Sequence, residues 1–398
     1  MNQRIITPST QQGMTLILLV FIIGMAATAF LLNALNANTV KIERDKKTAA
    51  ALMQAKQALI SWAATQPSLT KLGQLPCPEN TSLIGMPTEG TSQNTCTLPA
   101  IGRLPWRTLG LEDIRDGNGD KLWYAISTGF RSTNINSDTP AQLTVDGVAA
   151  SATAIVFSPG RALAGQVRQL PTIANPPDIT QYLELTNNDG DNTFVSMGAA
   201  DTFNDRLLTI SHDELFAVVE RRVAGEALNC LNAYALNPVS GPPSPPPPIP
   251  PVGAYPWPAK LDSTAPPAYV GTVDNFFGRL PDFPMGGDWA GSCSIPVGGT
   301  GWWLNWKEMV FFALADGYKP TVATPRCSGG CLIVSPPSAL ADKRVVVLVA
   351  GKMLAGQVRT SFIDKGNLAN YLELPNSVGI SYAQQNANGG FNDVVVYR

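Results

Sequence analysis

The chain has 398 residues, enough for two or three domains with substantial cores. Its net charge is −2, with 15% charged residues and no basic block, which removes the electrostatic basis for nucleic-acid binding. The 35 glycines and 33 prolines mark a turn-rich chain, and six cysteines, an even number, suit disulfides in an oxidising compartment. In chain order, a polar leader of residues 1–12 ends in Gly13. Residues 14–32 follow without a charge, dominated by Leu, Ile, Val, Phe and Ala. At helical rise this run spans about 28 Å, close to the thickness of a hydrocarbon core. It exceeds the roughly 7–15 apolar residues of a secretory signal, whose cleavage site would also lie after the run and not before it.

The junction Gly13-Met14-Thr15-Leu16 resembles the prepilin signal of type IV pilins and type II secretion pseudopilins. The resemblance implies a prepilin peptidase that cuts after Gly13 and methylates Met14. It also implies an inner-membrane anchor and other pilin-like subunits as partners. In that family the fifth mature residue is usually Glu, which pairs with the terminal amine of a neighbouring subunit; here the place is taken by Leu18. A subunit at a filament tip has no neighbour ahead and can dispense with the carboxylate. Two plainer readings are an uncleaved signal anchor and a conventional signal cut near Asn36-Ala37. Lys41, Arg44, Lys46 and Lys47 behind the run favour a cytoplasmic C-terminal side. The cysteines favour an exterior head, and that argument outweighs the charge bias.

Residues 39–64 continue with helix formers, and Leu52, Leu59 and Ala63 share one face, as do Met53 and Ile60. Pro67 ends the pattern. The expected helix therefore runs over 14–64, half in lipid and half against a globular head.

The head is written twice. Gly160-Arg-Ala-Leu-Ala-Gly-Gln-Val-Arg168 returns as Gly351-Lys-Met-Leu-Ala-Gly-Gln-Val-Arg359. Tyr182-Leu-Glu-Leu185 returns as Tyr371-Leu-Glu-Leu374, Phe203-Asn-Asp205 as Phe391-Asn-Asp393, and Gly102-Arg-Leu-Pro105 as Gly278-Arg-Leu-Pro281. Leu75-Pro-Cys-Pro78 is echoed by Tyr255-Pro-Trp-Pro258. The order is kept and offsets stay between 176 and 191, which signals a duplicated domain. The second copy opens on Ser211-His-Asp-Glu214, a capping box, with Val218, Val219, Val223, Leu228 and Leu231 as the expected apolar side. A proline-rich spacer follows. Paired β-branched runs at 121–127 and 309–314, 154–157 and 345–349, and 207–210 and 394–397 predict antiparallel strands in both copies.

The expected class is α+β: a long N-terminal transmembrane and amphipathic helix, then two related helix-on-antiparallel-sheet domains. The divisions are a leader at 1–13, the helix at 14–66, and a first copy at 67–210. The second copy's helix follows at 211–240, then a linker at 241–258 and the second copy at 259–398.

Motifs for chemistry are sparse. The Gly160–Gly165 spacing follows a strand like a phosphate loop, but Gln166 and Val167 stand where Lys and Ser/Thr are needed. Asp116, Asn118 and Asp120 place oxygens at alternating positions, as calcium loops do. Some pseudopilins bind calcium in this part of the head, yet the twelfth place is Ser127 and not Glu. An ordinary turn is the favoured reading, and no cofactor is required. His212, the only histidine, lies in a helix's first turn, and no nucleophile elbow is present. Trp302, Trp303, Trp306, Phe311 and Phe312 suit a buried strand and helix edge better than a ligand surface. Cys77 and Cys96 could close one loop and Cys327 and Cys331 a tight one, leaving Cys230 and Cys293 for each other; other pairings stay open.

The expectation is a non-enzymatic, non-major pilin-like subunit of a type IV pilus or secretion filament. Its head would be periplasmic or at the cell surface and would touch an unidentified surface ligand. The alternative is a signal-anchored periplasmic or surface binding protein that never enters a fibre.

Overall fold

The computed structural model describes residues 12–98, 100–238, 249–261, 269–282, 289, 293–296, 299–327, 329–335, 340–378, 381–384 and 390–398. For 12–22, 24, 26–37 and 340 it describes the backbone alone. The leader up to residue 11 and the spacer at 241–248 lie outside these residues. So do the side chains of Gly13, Met14, Leu18 and most of the apolar run. Among the described residues no helix is long and apolar enough to cross a membrane.

The fold is mixed α+β with antiparallel sheets. Helix α1 spans Gln12–Ala64 and ends three residues before Pro67, which removes a backbone donor and bars continuation. The first lobe then contributes β1 (Ala100–Arg103), β2 (Trp123–Ile126), β3 (Leu143–Val145), β4 (Val148–Ala152), β5 (Ala154–Ser158), β6 (Thr193–Phe194) and β7 (Arg206–Ile210). Helix α2 (His212–Leu236) opens the second lobe, followed by β8 (Phe277–Arg279), α3 (Trp303–Trp306), β9 (Val310–Leu314), β10 (Leu332–Ser335) and β11 (Leu340–Lys343). Strand β12 (Val345–Val349), α4 (Phe362–Gly366), β13 (Ser381–Ala383) and β14 (Val394–Tyr397) complete it.

The duplication is visible strand by strand. One antiparallel sheet has the order β1-β2-β5-β7 and the other β8-β9-β12-β14. Each lobe adds a three-stranded sheet, β4-β3-β6 and β11-β10-β13, in which one pair is antiparallel and the other parallel. Among the described residues seven strands recur in the same order and the same sense.

The central strands read as unbroken apolar runs because both faces of each sheet are covered. In β2, Tyr124 and Ile126 face the helices while Trp123 and Ala125 face the smaller sheet. In β5, Ala154 and Val156 face the helices, and Ile155 and Phe157 pack with Leu143, Phe194 and Tyr182. Helix α1 lies on β5 and β7, α2 lies on β12 and β14, and the helices pack on each other. A single apolar core therefore runs sheet, helix, helix, sheet through both copies. Burying a Leu, Ile or Phe in such a core contributes roughly 1.5–3 kcal/mol.

The helical stripes differ in detail from the sequence reading. On α1, Leu52, Ala55, Leu59, Ile60 and Ala63 are buried, but Met53 remains 48% exposed. It sits about 100° round the helix from Leu52, at the margin of the stripe. On α2 the buried side is Phe216, Val219, Val223, Ala227, Cys230 and Tyr234, with steps of three and four. Val218 falls off that stripe and is exposed, while Leu228 is only half covered. The capping box forms: Ser211 accepts from the Glu214 N–H, and the Glu214 carboxylate accepts from the Ser211 N–H at 2.9 Å. Lys56 of α1 pairs with Glu214 at 2.5 Å and donates to the Thr209 carbonyl, tying α1 to the start of α2.

Candidate functional site

The repeated nonapeptide builds the same polar knot in each lobe. Arg168 donates from Nη1 to the Gly160 carbonyl, from Nε to the Gln181 carbonyl, and from Nη2 to the Gln166 side chain. Arg359 makes the corresponding bonds to Gly351, Asn370 and Gln357. Gln166 donates to Glu184 at 2.7 Å and Gln357 to Glu373 at 3.1 Å. The Glu184 backbone N–H donates to Asp205, as that of Glu373 does to Asp393, and Asn187 and Asn376 donate to the same carboxylates. Burial and the neighbouring glutamate push Asp205 up to about 8, against hydrogen bonds that lower it; the same causes, burial first, raise Asp393.

Backbone needs fix the glycines. Gly165 and Gly356 both sit at φ +92°, closed to most side chains, and a Cβ on Gly351 would lie 2.4 Å from Asn392. The phosphate-loop spacing is thus a turn held by Arg168, with its glutamine turned inward onto a glutamate.

The lobes part company at the arginine of the Gly-Arg-Leu-Pro repeat. Arg279 in the second lobe donates from Nη1 to the Glu308 carbonyl and from Nη2 to the Lys365 carbonyl of α4 at 2.8 Å. It also lies over the rings of Tyr371, Phe311 and Tyr269. Helix α4 therefore closes over the arginine. In the first lobe the segment after Arg168 forms no such helix, and Arg103 faces an open cleft of about 680 Å³. Arg103 is 7% exposed and lies over the Tyr182 ring, 5.6 Å from its centre. Among the described residues its one side-chain hydrogen bond runs from Nη2 to the Tyr182 hydroxyl at 3.4 Å, and Nε has none.

The cleft carries five basic residues against three acids. Lys121 serves Glu89, with Asp113 at 3.7 Å, and Arg168 pairs with Asp120 at 2.6 Å. Arg107 stacks on Trp106, and Leu170 stands at the edge 89% exposed. Behind Lys121 the Glu79 carboxyl is fully covered at 3.8 Å and has no hydrogen bond among the described residues. Burial raises its pKa, opposed by Lys121 and Arg103. Glu89, by contrast, is held below its ordinary value in spite of burial by its bonds to Lys121 and the Gly85 N–H.

The sequence-marked residues fall elsewhere. Asp116 is completely buried: Oδ1 accepts from the Asn118 and Asp120 N–H groups, and Oδ2 accepts from the Ser158 hydroxyl at 2.7 Å. Asp120 is taken by Arg168. The stretch Asp116, Asn118 and Asp120 is a self-satisfied turn that docks on α1, where Gly117 meets Arg44 and donates to Thr48. No group of three acidic, histidine or cysteine ligands that could hold a metal occurs among the described residues.

His212 stacks on Phe216 at 4.3 Å and bonds the Ser137 carbonyl and Asp213, with burial holding its pKa down. Trp302, Trp303, Trp306, Phe311 and Phe312 are buried core. The disulfides join Cys77 to Cys96, Cys230 to Cys293, and Cys327 to Cys331.

Sequence reasoning missed Arg103, Lys121, Trp106 and Tyr182 as a site. Their signal was the repeat itself, which flags Arg103 and Arg279 alike. What separates them is α4, present in one copy only. Comparison with protein-family models, curated proteins and solved structures finds no match to the chain.

Proposed function

We propose that the chain is a non-major pilin-like subunit of a type IV pilus or type II secretion-like filament, acting through assembly and surface contact and not through catalysis. The observation that carries this reading is the junction Gly13-Met14-Thr15-Leu16 near the start of one helix, Gln12–Ala64, whose far end is core of the head. A handle continuous with the body is what a subunit held by its N-terminal helix needs. In this reading a prepilin peptidase cuts after Gly13 and methylates Met14, and residues 14–32 sit in the inner membrane before assembly. The duplicated, disulfide-braced head lies in the periplasm or at the cell surface.

Leu18 supports a tip position. A lone carboxylate in lipid is expensive, and the family uses its pairing with a neighbour's amine as a registry device. Leu18 offers no such pairing, so this subunit fits where no neighbour lies ahead. The open cleft of the first lobe favours a second reading, an anchored binding protein that never joins a fibre. Sheared filaments probed for this chain separate the two. Recovery with the major subunit is expected, and its complete retention in the membrane fraction would favour the anchored binder.

A further inference from the structure

The geometry points to the cleft around Arg103 as a docking site for a carboxylate-bearing peptide segment of a partner protein. This inference stands apart from the filament reading and holds for an anchored binder as well. The second lobe shows how the fold treats the same arginine when its pocket is closed. There, the last turn of α4 presents the Lys365 carbonyl to Arg279, and the Lys365 ammonium pairs with Glu308 at 2.8 Å. In the first lobe Arg168 takes over the pairing with the equivalent acid, Asp120, but among the described residues no backbone carbonyl accepts from the Arg103 side chain. The Asp120 carbonyl, counterpart of the Glu308 carbonyl, is already occupied by the Asp116 N–H.

A guanidinium cannot shed its proton, and its donors form a planar fork that matches the two oxygens of a carboxylate. Arg103 is 93% buried by contrast with the Leu170 lip, and most of its fork is unpaired among the described residues. The excess of basic over acidic lining attracts an anion, and Arg103 lies over the Tyr182 ring beside it. Leu170 and Met86, exposed at 89% and 45%, offer apolar contact beside the charge. Acid next to an apolar side chain on an extended segment fits this combination.

The test titrates the full chain in detergent with the blocked peptide Ac-Ala-Leu-Asp-Ala-Leu-NH2 and its Asn twin, read by calorimetry. The Asp peptide is expected to bind at least tenfold more tightly than the Asn peptide. Arg103→Gln should weaken the Asp peptide tenfold or more, with near-ultraviolet circular dichroism confirming an intact fold. Because Arg103 is buried, Leu170→Asp serves as a second variant: it lies at the open lip and should weaken binding several-fold by repulsion. Equal binding of the two peptides, or binding untouched by both variants, overturns the proposal. So does binding of an oligogalacturonate with no binding of the Asp peptide, which would make the cleft a saccharide site.

Discussion

Arg359 of the second lobe reaches Asp138 of the first, Nη1 to Oδ1 at 2.9 Å, whereas its counterpart Arg168 finds Asp120 within its own lobe. Asp138 also accepts from the Met353 N–H at 2.9 Å. One member of a duplicated knot has thus been turned into a clasp between the copies. Nearby, Asn305 donates to the Thr133 carbonyl and Asn136 to the Asn305 carbonyl, so the contact is polar as well as apolar.

Asp138→Ala leaves the Arg359 side chain, 5% exposed, without its acid. Hydrogen bonds to charged groups contribute about 1.5–3 kcal/mol, and a loss in that range is expected in urea unfolding of the full chain. A variant within about 0.5 kcal/mol of the parent would show that the clasp does not hold the lobes.

Stability should fall as pH rises from about 4 to about 8. Asp205 keeps a proton in the folded state up to about 8, from an ordinary value of 3.8, and Asp393 moves the same way. The unfolded chain releases that proton near its ordinary value, so folding binds a proton across this window. The contribution is complete below the ordinary value and is lost as pH climbs through the folded one. Asp205→Asn keeps an acceptor for the Glu184 N–H and removes one titrating group. Its slope of stability against pH should be shallower by up to about 1.4 kcal/mol per unit. Glu220, buried in α2 and also raised to about 8, keeps the slope from vanishing. Parallel stability curves for parent and variant would contradict the assignment.

The three disulfides should contribute unequally. Cys230–Cys293 spans 63 residues and fixes the α2 face, while Cys327–Cys331 spans 4. Loop-closure entropy gives about 4 kcal/mol for the first and about 2 for the second. Paired Cys→Ala variants of each bridge, compared by urea unfolding, should keep this order, and a reversed order would mean that native packing outweighs chain entropy.

Much of this architecture was legible because it rests on short-range signals. Apolar runs such as 345–349, the Ser211–Glu214 box and the repeated nonapeptide each declare a local structure. Strands β1, β3, β4, β6, β8, β10, β11 and β13 were not legible. They are short, and their burial depends on the neighbouring sheet; in β4, Val148, Ala149 and Ala150 are exposed. Arg103 reads the same as Arg279 along the chain. Only the absence of a helix after Arg168, more than sixty residues away, leaves the first facing a cleft and the second covered.

Leu18→Glu tests the tip reading from the other side. Restoring the carboxylate gives the subunit the registry device of a shaft member, so its placement in sheared filaments should spread from one end along their length, seen by immunogold labelling. Unchanged end labelling would make Leu18 idle in placement.

The most direct measurement is the mass of the mature N-terminus, taken on protein purified from the membrane of a cell with an active prepilin peptidase. A chain that begins at Met14 with a methylated amine is expected. Protein that retains Met1, or that begins near Ala37 with a free amine, would contradict it.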